Sequence, residues 1–222
     1  MRLAAIIFDL DGTLLDTLAD LRAALNHALN AKGLPLRTID QVRHDVGNGV
    51  RVLIERSVEG AAPELIDALF DIFRPYYAQH ASDHTAPYEG ILPMLEEVKK
   101  QGIRSAIVSN KPDAQVGFLH QRFLPQLIDT AIGEQQPLVR RKPAPDMVNM
   151  ALQCLRVDRS QAVYVGDSEV DVQTACAARI PCIACTWGFR GRRLLEQAGA
   201  DILIDTPAQL INRLADVAPR LS

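Results

Sequence analysis

The chain has 222 residues, of which 48% are hydrophobic and 23% charged, with a formal net charge of −3 at pH 7. These values are typical of a globular protein and exclude a disordered chain, and the length suits one substantial domain or a domain with a smaller inserted one. Because 24 basic residues face 27 acidic ones, there is no general electrostatic reason to expect a nucleic-acid or membrane partner.

The chain begins with a short apolar run, residues 3–8, that Asp9 interrupts. The run is continuous and too short for a helix, so it predicts a buried strand. Its interruption argues against a signal peptide or a spanning helix. The cysteines suggest no disulfide framework, and Cys182 and Cys185 have no second ligand pair at metal spacing, so we assign them to a strand core. We therefore expect a reduced, cytoplasmic protein.

Two carboxylates follow this strand directly, Asp9 and Asp11. Residues two apart on an extended strand point to the same side, so both acids can face one small space. Two like charges at that separation are unfavourable unless a cation or a shared proton compensates. A hard divalent ion such as Mg²⁺ prefers oxygen ligands, which makes this pair a candidate metal site. The alternative is that both acids are ordinary solvated residues of a Gly-containing turn.

The pattern after Thr13 is helical. Leucines recur at helical spacing as far as a predicted stop at Gly33. Residues 16–85 contain no convincing strand pattern, which predicts an all-helical insertion. Its further helical segments are predicted near residues 39–45, 50–58 and 63–77.

From Ile91 onward, helical and strand patterns alternate. Strands separated by helices imply right-handed crossovers and a parallel sheet covered on both faces. We therefore predict an α/β fold, with the sheet built from residues 1–15 and 86–222. The later strands are predicted at residues 103–108, 127–132, 162–165, 181–186 and 201–204.

Further polar clusters fall at or beside the ends of these strands, where ligands of parallel sheets bind. Ser109 and Asn110 offer a hydroxyl and an amide that can bind phosphoryl oxygens. Lys142 offers a compact positive charge that can neutralise both a phosphate and a nucleophilic carboxylate. Asp167 and Asp171 stand four apart at the start of a helix, so one can ligate an ion while the other orients the ligand set.

Four motifs follow one another in order: Asp9-Leu10-Asp11-Gly12-Thr13, Ser109-Asn110, Lys142 and Gly166-Asp167-x-x-x-Asp171. This series resembles the haloacid dehalogenase superfamily, and more narrowly its phosphoglycolate phosphatase-like members with a helical cap between the first two motifs. The resemblance extends over nearly the whole chain. It implies a Rossmann-like core, a helical cap at residues 16–85 and a Mg²⁺-dependent phosphatase.

The resemblance also implies a two-step mechanism. Asp9 attacks phosphorus and forms an aspartyl-phosphate, while Asp11 protonates the leaving oxygen and later accepts a proton from water. Dehalogenase members of the superfamily need no such acid, because halide leaves unprotonated, so Asp11 argues for phosphoryl transfer. Mg²⁺ is expected at Asp9, the main-chain carbonyl of Asp11 and Asp167. Charge on the transferred group is expected to be stabilised by Ser109, Asn110 and Lys142.

In capped relatives, a loop in the helical insertion closes over the active site and contacts the leaving group. By this resemblance Asn48, Gly49 and Arg51 are candidate specificity residues, and Arg51 is a candidate partner for a substrate carboxylate. The alternative is a simple helix–helix turn, since glycine suits positive φ. Lys111 is left undecided between an active-site role and surface charge.

One departure from the resemblance concerns the turn after the helix that follows Asp171. Relatives usually carry Ala-Gly there, whereas this chain has Ala178-Arg179. A left-handed conformation at Arg179 would cost roughly 1 kcal/mol.

Taken together, the motifs favour a Mg²⁺-dependent phosphatase that acts on a small soluble phosphate ester, with 2-phosphoglycolate as the leading candidate. The rival substrates are a sugar phosphate, a nucleotide or pyrophosphate. A phosphosugar mutase keeps the same carboxylates, and a non-catalytic binding protein of this fold would lack Asp9 or Lys142, which are both present. No oligomeric state is predicted.

Overall fold

The computed structural model describes residues 3–135 and 137–217. The parts of the predicted sheet-forming residues 1–15 and 86–222 that fall at 1–2, 136 and 218–222 lie outside the described residues. These residues form eight strands and ten α-helices. Among them, no helix combines the length and apolar character needed to cross a membrane.

Six strands form one parallel sheet in the order β5-β4-β1-β6-β7-β8. The chain crosses from one side of β1 to the other between β5 and β6, which creates a topological switch point where ligands of such folds bind. This sheet confirms the predicted α/β class. Its strands are β1 (Ala5–Phe8), β4 (Arg104–Pro112), β5 (Thr130–Glu134), β6 (Ala162–Gly166), β7 (Cys182–Cys185) and β8 (Ile202–Ile204).

The remaining strands are a two-stranded antiparallel ladder, β2 (Leu15–Asp16) with β3 (Ala86–Pro87). Four helices lie between them: α1 (Leu18–Ala31), α2 (Ile39–Asp45), α3 (Val50–Ser57) and α4 (Pro63–His80). The other helices are α5 (Ile91–Lys100), α6 (Asp113–Phe123), α7 (Asp146–Leu155), α8 (Glu169–Ala178), α9 (Gly191–Gln197) and α10 (Leu210–Val217).

The central strand β1 is buried on both faces. Ile6 and Phe8 pack into one hydrophobic cluster, whereas Ala5 and Ile7 pack into another on the opposite side. Alternate side chains of a strand point to opposite faces, so helices on both sides require a continuous apolar run. This is why the first strand shows no polar alternation in the sequence.

Strands β2 and β3 were not predicted, and β5 begins at Thr130 rather than at residue 127. Two further elements differ from the sequence prediction. Strand β4 does not end at Val108 but continues through Ser109, Asn110 and Lys111, whose polar side chains are buried in this structure. Helix α9 was not predicted, because only Leu195 among its seven residues is buried and no apolar period marks it. Both differences arise where tertiary contacts, rather than local pattern, decide the structure.

The structure also bears on the predictions made for Arg179 and for the two cysteines Cys182 and Cys185. Arg179 has φ 56°, which confirms the left-handed turn after α8. Cys182 and Cys185 lie in strand β7, as predicted.

The first turn of α1 is fastened to the segment that precedes β3. The buried carboxylate of Asp20 accepts hydrogen bonds from the backbone N–H groups of His84 at 3.0 Å and Thr85 at 2.8 Å, and from the Thr85 hydroxyl at 2.8 Å. This carboxylate therefore joins the entry and the exit of the helical segment, which the β2–β3 ladder also holds together.

Candidate active site

A cavity opens at the carboxyl ends of β1, β4 and β6, beneath the loop between α2 and α3. Its apolar wall comes from the helical segment, through Leu21, Val46, Val50 and Leu53. Seven residues predicted from the sequence also line it: Asp9, Asp11, Gly49, Ser109, Asn110, Lys142 and Asp167.

Lys142 connects the carboxylate of Asp9, which lines this cavity, to the carboxylate of Asp171 behind it. Its Nζ lies 2.9 Å from Oδ1 of Asp9 and 2.8 Å from Oδ1 of Asp171, and it donates to the Tyr164 hydroxyl at 3.2 Å. Although burial opposes a charge on Lys142, the carboxylates of Asp171 and Asp9 raise its pKa well above its ordinary value. A permanent positive charge is therefore fixed beside Asp9.

The surroundings of Asp9 have opposing effects on the pKa of its carboxyl group. Burial, followed by repulsion from Asp171, raises the pKa of Asp9 to about 7, while Lys142 opposes that rise. One oxygen of Asp9 accepts a hydrogen bond from the N–H of Leu10 at 2.7 Å.

Asp171 does not line the cavity. Its Oδ1 accepts from Lys142 and from the Tyr164 hydroxyl at 3.1 Å, and its Oδ2 accepts from the backbone N–H and hydroxyl of Ser168 at 3.0 and 2.6 Å. Both oxygens are therefore engaged by protein donors. This geometry suits a residue that orients Lys142 and the start of α8.

Three of the predicted metal residues come together. One carboxylate oxygen from each of Asp9, Asp167 and Asp171 lies within 4.8 Å of the others, and all three residues are buried. Burial, followed by repulsion from Asp171 and Asp9, raises the pKa of Asp167 well above its ordinary value. An all-oxygen set of buried acids fits a hard divalent cation, which would relieve this repulsion.

Asp167 is held in place by two elements distant in sequence. The Thr13 hydroxyl donates to its Oδ1 at 3.1 Å, and the N–H of Phe189 donates to its Oδ2 at 2.7 Å. The chain before Phe189 approaches so closely that a Cβ at Gly188 would overlap the Asp167 side chain. Glycine is therefore required at Gly188 for this carboxylate to keep its position.

The Asp11 carboxylate is not part of the acidic cluster. Both of its oxygens lie 2.9 Å from Nζ of Lys111, and Oδ1 also accepts from the Thr17 hydroxyl at 2.6 Å. Lys111, which the sequence left undecided, is thus a buried residue of the cavity rather than a surface charge. No local pattern could show this, because its partner is 100 residues earlier in the chain.

Asn110 joins three parts of the site. Its Oδ1 accepts from the N–H of Lys142 at 2.8 Å, and its Nδ2 donates to the carbonyls of Lys142 at 3.2 Å and Gly47 at 3.3 Å. Ser109 is buried beside it and accepts from the N–H of Lys111 at 3.3 Å. Asn110 therefore positions the backbone of Lys142 and also forms a hydrogen bond to the helical segment.

Of the three candidates in the helical segment, only Gly49 reaches the cavity, with φ 88°. Asn48 and Arg51 are not among the described residues that line the cavity. Arg51 is instead half-exposed and pairs with Asp67 at 2.7 Å and Glu55 at 3.3 Å, two acids of the helical segment itself. The structure thus does not bring Arg51 to the place where it was expected to meet a substrate.

The sequence missed Arg190, which joins the sheet side of the cavity to the helical segment. Its Nε donates to Glu169 at 2.9 Å, its Nη1 to the carbonyl of Arg43 at 2.6 Å, and its Nη2 to the carbonyl of Val46. These partners are widely separated in sequence, and an isolated arginine carries no motif, so no sequence signal identified it.

Comparison with known proteins agrees with this geometry. Residues 6–185 match the model of the family described as haloacid dehalogenase-like hydrolase. The chain is 34% identical over 220 residues to a phosphoglycolate phosphatase of Pseudomonas putida, covering 96% of this chain and 80% of the relative. It is 35% identical over 216 residues to a phosphoglycolate phosphatase of Xanthomonas campestris pv. campestris, covering 93% and 94%.

Solved structures show the same architecture. A crystal structure from Lactobacillus delbrueckii subsp. bulgaricus superposes with a TM-score of 0.90 at 36% sequence identity, covering 95% of this chain and 97% of the other. One from Haemophilus somnus superposes with a TM-score of 0.88 at 27% identity, covering 96% and 99%. The similarity spans the sheet and the helical segment together.

Proposed function

Because this chain belongs to the haloacid dehalogenase-like hydrolases and is a phosphoric monoester hydrolase, we propose that its substrate is a small phosphomonoester, 2-phosphoglycolate. One observation carries the proposal: Asp9, Asp11 and Lys142 meet in one cavity, each with a charged partner. The activity named for the relatives from Pseudomonas putida and Xanthomonas campestris supports the choice of ester.

In the first step we assign the nucleophile to Asp9. One of its carboxylate oxygens forms a bond to phosphorus as the bond from phosphorus to the leaving oxygen breaks, and Asp11 donates a proton to that oxygen. Lys142 lies 2.9 Å from Asp9, where it stabilises the ionised nucleophile and the negative charge of the arriving phosphoryl group.

In the second step, water attacks the phosphorus of the aspartyl-phosphate. Asp11 accepts the proton of that water as the new bond forms, which returns Asp11 to its protonated state and Asp9 to its free carboxylate. Ser109 and Asn110 are proposed to bind the phosphoryl oxygens, and both line the same cavity.

We further propose Mg²⁺ as the cofactor, held by Asp9, Asp167 and the main-chain carbonyl of Asp11. Bound there, it supplies positive charge that offsets repulsion between the acids and the phosphate. The engagement of Asp171 by Lys142 and Ser168 favours an orienting role for this residue rather than a direct ligand role.

We propose residues 16–85 as a cap on a core of residues 1–15 and 86–222. Two contacts across the cavity support this division: Asn110 to the carbonyl of Gly47, and Arg190 to the carbonyls of Arg43 and Val46. Of the cap candidates, the position of Gly49 supports contact with the leaving group. The positions of Asn48 and Arg51 give no such support.

Phosphate release from a panel of esters tests the proposal. The panel is 2-phosphoglycolate, a hexose phosphate, a nucleoside monophosphate and pyrophosphate, each assayed with Mg²⁺, with chelator, and with Mg²⁺ restored. We expect Mg²⁺-dependent turnover with the highest kcat/KM on 2-phosphoglycolate. Return of the phosphoryl group to a sugar instead of water would point to a mutase, and no release from any ester would overturn the phosphatase proposal.

A further inference from the structure

Lys111 is the cavity cation whose charged partner is the residue proposed to protonate the leaving group. Its side chain is 2% exposed, and its Nζ lies 2.9 Å from each oxygen of Asp11. Although burial opposes the charge, Asp11 raises the pKa of Lys111 well above its ordinary value. A full positive charge is therefore fixed on the leaving-group side of the cavity.

The other cations that line the cavity are engaged elsewhere. Lys142 lies between Asp9 and Asp171 on the phosphate side. Arg190 is held by Glu169 and by two carbonyls of the helical segment. Of the three cations among the cavity residues that the structure describes, Lys111 is the one beside the proposed acid.

Lys111 can serve another acceptor by releasing one of its two hydrogen bonds to Asp11. An ammonium carries three N–H donors, and the two oxygens of Asp11 account for two of them. On a further side lies the ring of Tyr77, whose centre is 4.9 Å from Nζ. Tyr77 is itself buried and is not among the described residues that line the cavity, so of the two residues only Lys111 is placed to meet a bound substrate.

The reach of this ammonium fits a small acidic leaving group. To receive a proton, the leaving oxygen must come within about 3 Å of a carboxylate oxygen of Asp11. The same oxygens are 2.9 Å from Lys111, so the leaving oxygen and the ammonium share a neighbour. In 2-phosphoglycolate, the carboxylate is separated from the leaving oxygen by a single methylene, a span that one lysine head group can cover.

We propose that Lys111 is a specificity residue that binds a carboxylate on the leaving group of the substrate. This inference rests on the proposed phosphatase function and names the residue that selects an acidic leaving group. Lys111 keeps one hydrogen bond to Asp11 and shares its charge between the two carboxylates. Esters with a neutral leaving group gain nothing from this contact.

The test compares two esters on one enzyme preparation: 2-phosphoglycolate and 2-hydroxyethyl phosphate, which replaces the carboxylate with a neutral hydroxymethyl group. For each variant the ratio of the two kcat/KM values is measured. Because both esters meet the same population of folded enzyme, this ratio does not depend on how much of a variant folds. The variant is Lys111→Met, with Lys100→Met as the control on the exposed end of α5.

We expect Lys111→Met to lower the ratio roughly 10- to 100-fold, the usual effect of losing a hydrogen bond to a charged group. Lys100→Met should leave it unchanged. An equal loss on both esters in Lys111→Met would overturn the inference, because Lys111 would then only position Asp11. A wild-type ratio near one would also overturn it while phosphatase activity stands, whereas no turnover of either ester by wild type would overturn the proposed function itself.

Discussion

The Nζ atom of Lys142 lies 2.8 Å from Oδ1 of Asp171, a carboxylate that does not line the cavity and whose oxygens are both used by protein donors. The same ammonium lies 2.9 Å from Asp9. Asp171 therefore sets the place of the cation that is proposed to stabilise the nucleophile Asp9.

We expect Asp171→Asn to lower kcat about 10- to 100-fold with little change in KM, because a displaced lysine affects the reacting groups more than substrate binding. Steady-state kinetics on 2-phosphoglycolate measures both constants. Asp216→Asn, which removes an exposed acid paired with Arg213, is the matched control and should be silent. A rise in KM at unchanged kcat would show that Asp171 acts on binding instead.

Arg190 fastens the helical segment over the cavity through the carbonyls of Arg43 and Val46. Loss of these contacts in Arg190→Gln should favour an open arrangement and raise KM about tenfold, the effect of one or two hydrogen bonds to a charged donor. Arg192→Gln removes a nearby exposed arginine paired with Asp205 and serves as the control. Equal KM values for the two variants would contradict the fastening role.

Asp20 connects the two chain segments between the helical segment and the sheet, and its effect on stability depends on pH. Although burial raises the pKa of Asp20, hydrogen bonds donated by His84 and Thr85 bring it below its usual value. A lowered folded-state pKa gives stability that is present above the unfolded pKa of about 3.9 and is lost as the pH falls through the folded value.

Asp20→Asn should therefore reduce the free energy of unfolding by about 1–2 kcal/mol at pH 7, and the difference from wild type should shrink below about pH 4. Urea unfolding at several pH values measures it. Asp83→Asn, which removes an exposed acid beside His80, is the control. A difference that grows towards acid pH would contradict the assignment.

Substitution by alanine should be harmful at one glycine, Gly188, and stabilising at another, Gly117. At Gly188 a Cβ would overlap the Gly12 carbonyl and the Asp167 side chain, so Gly188→Ala should displace Asp167 and reduce activity about 100-fold or more. At Gly117, inside α6, a Cβ meets nothing within 4 Å, so Gly117→Ala should stabilise the protein by about 0.5–1 kcal/mol. Activity and thermal unfolding of both variants test this contrast, and full activity in Gly188→Ala would contradict it.

Much of the fold could be predicted from the sequence because each local pattern agreed with the final structure. The apolar run before Asp9 is β1, and the helical spacing from Leu18 is α1. The motif acids and Lys142 converge because consecutive parallel strands end at the same edge of the sheet.

What the sequence could not show depends on contacts between distant segments. Lys111 gains its place from Asp11, and Arg190 from Arg43 and Val46, pairs separated by at least 100 residues. Arg51 pairs with Asp67 of the helical segment, a partner that the sequence does not mark in advance, and its role towards a substrate carboxylate stays a prediction. Residues placed by such contacts were the part of the site least accessible to sequence analysis.

The central claim is that Asp9 becomes phosphorylated during turnover. Rapid acid quench after mixing enzyme, Mg²⁺ and 2-phosphoglycolate labelled in its phosphoryl group measures the protein-bound label, and peptide mapping locates it. We predict transient label on the peptide that contains Asp9 in wild type, with neither label nor phosphate release in Asp9→Asn. Phosphate release by Asp9→Asn at the wild-type rate, with no label on Asp9 in the wild-type enzyme, would contradict the account.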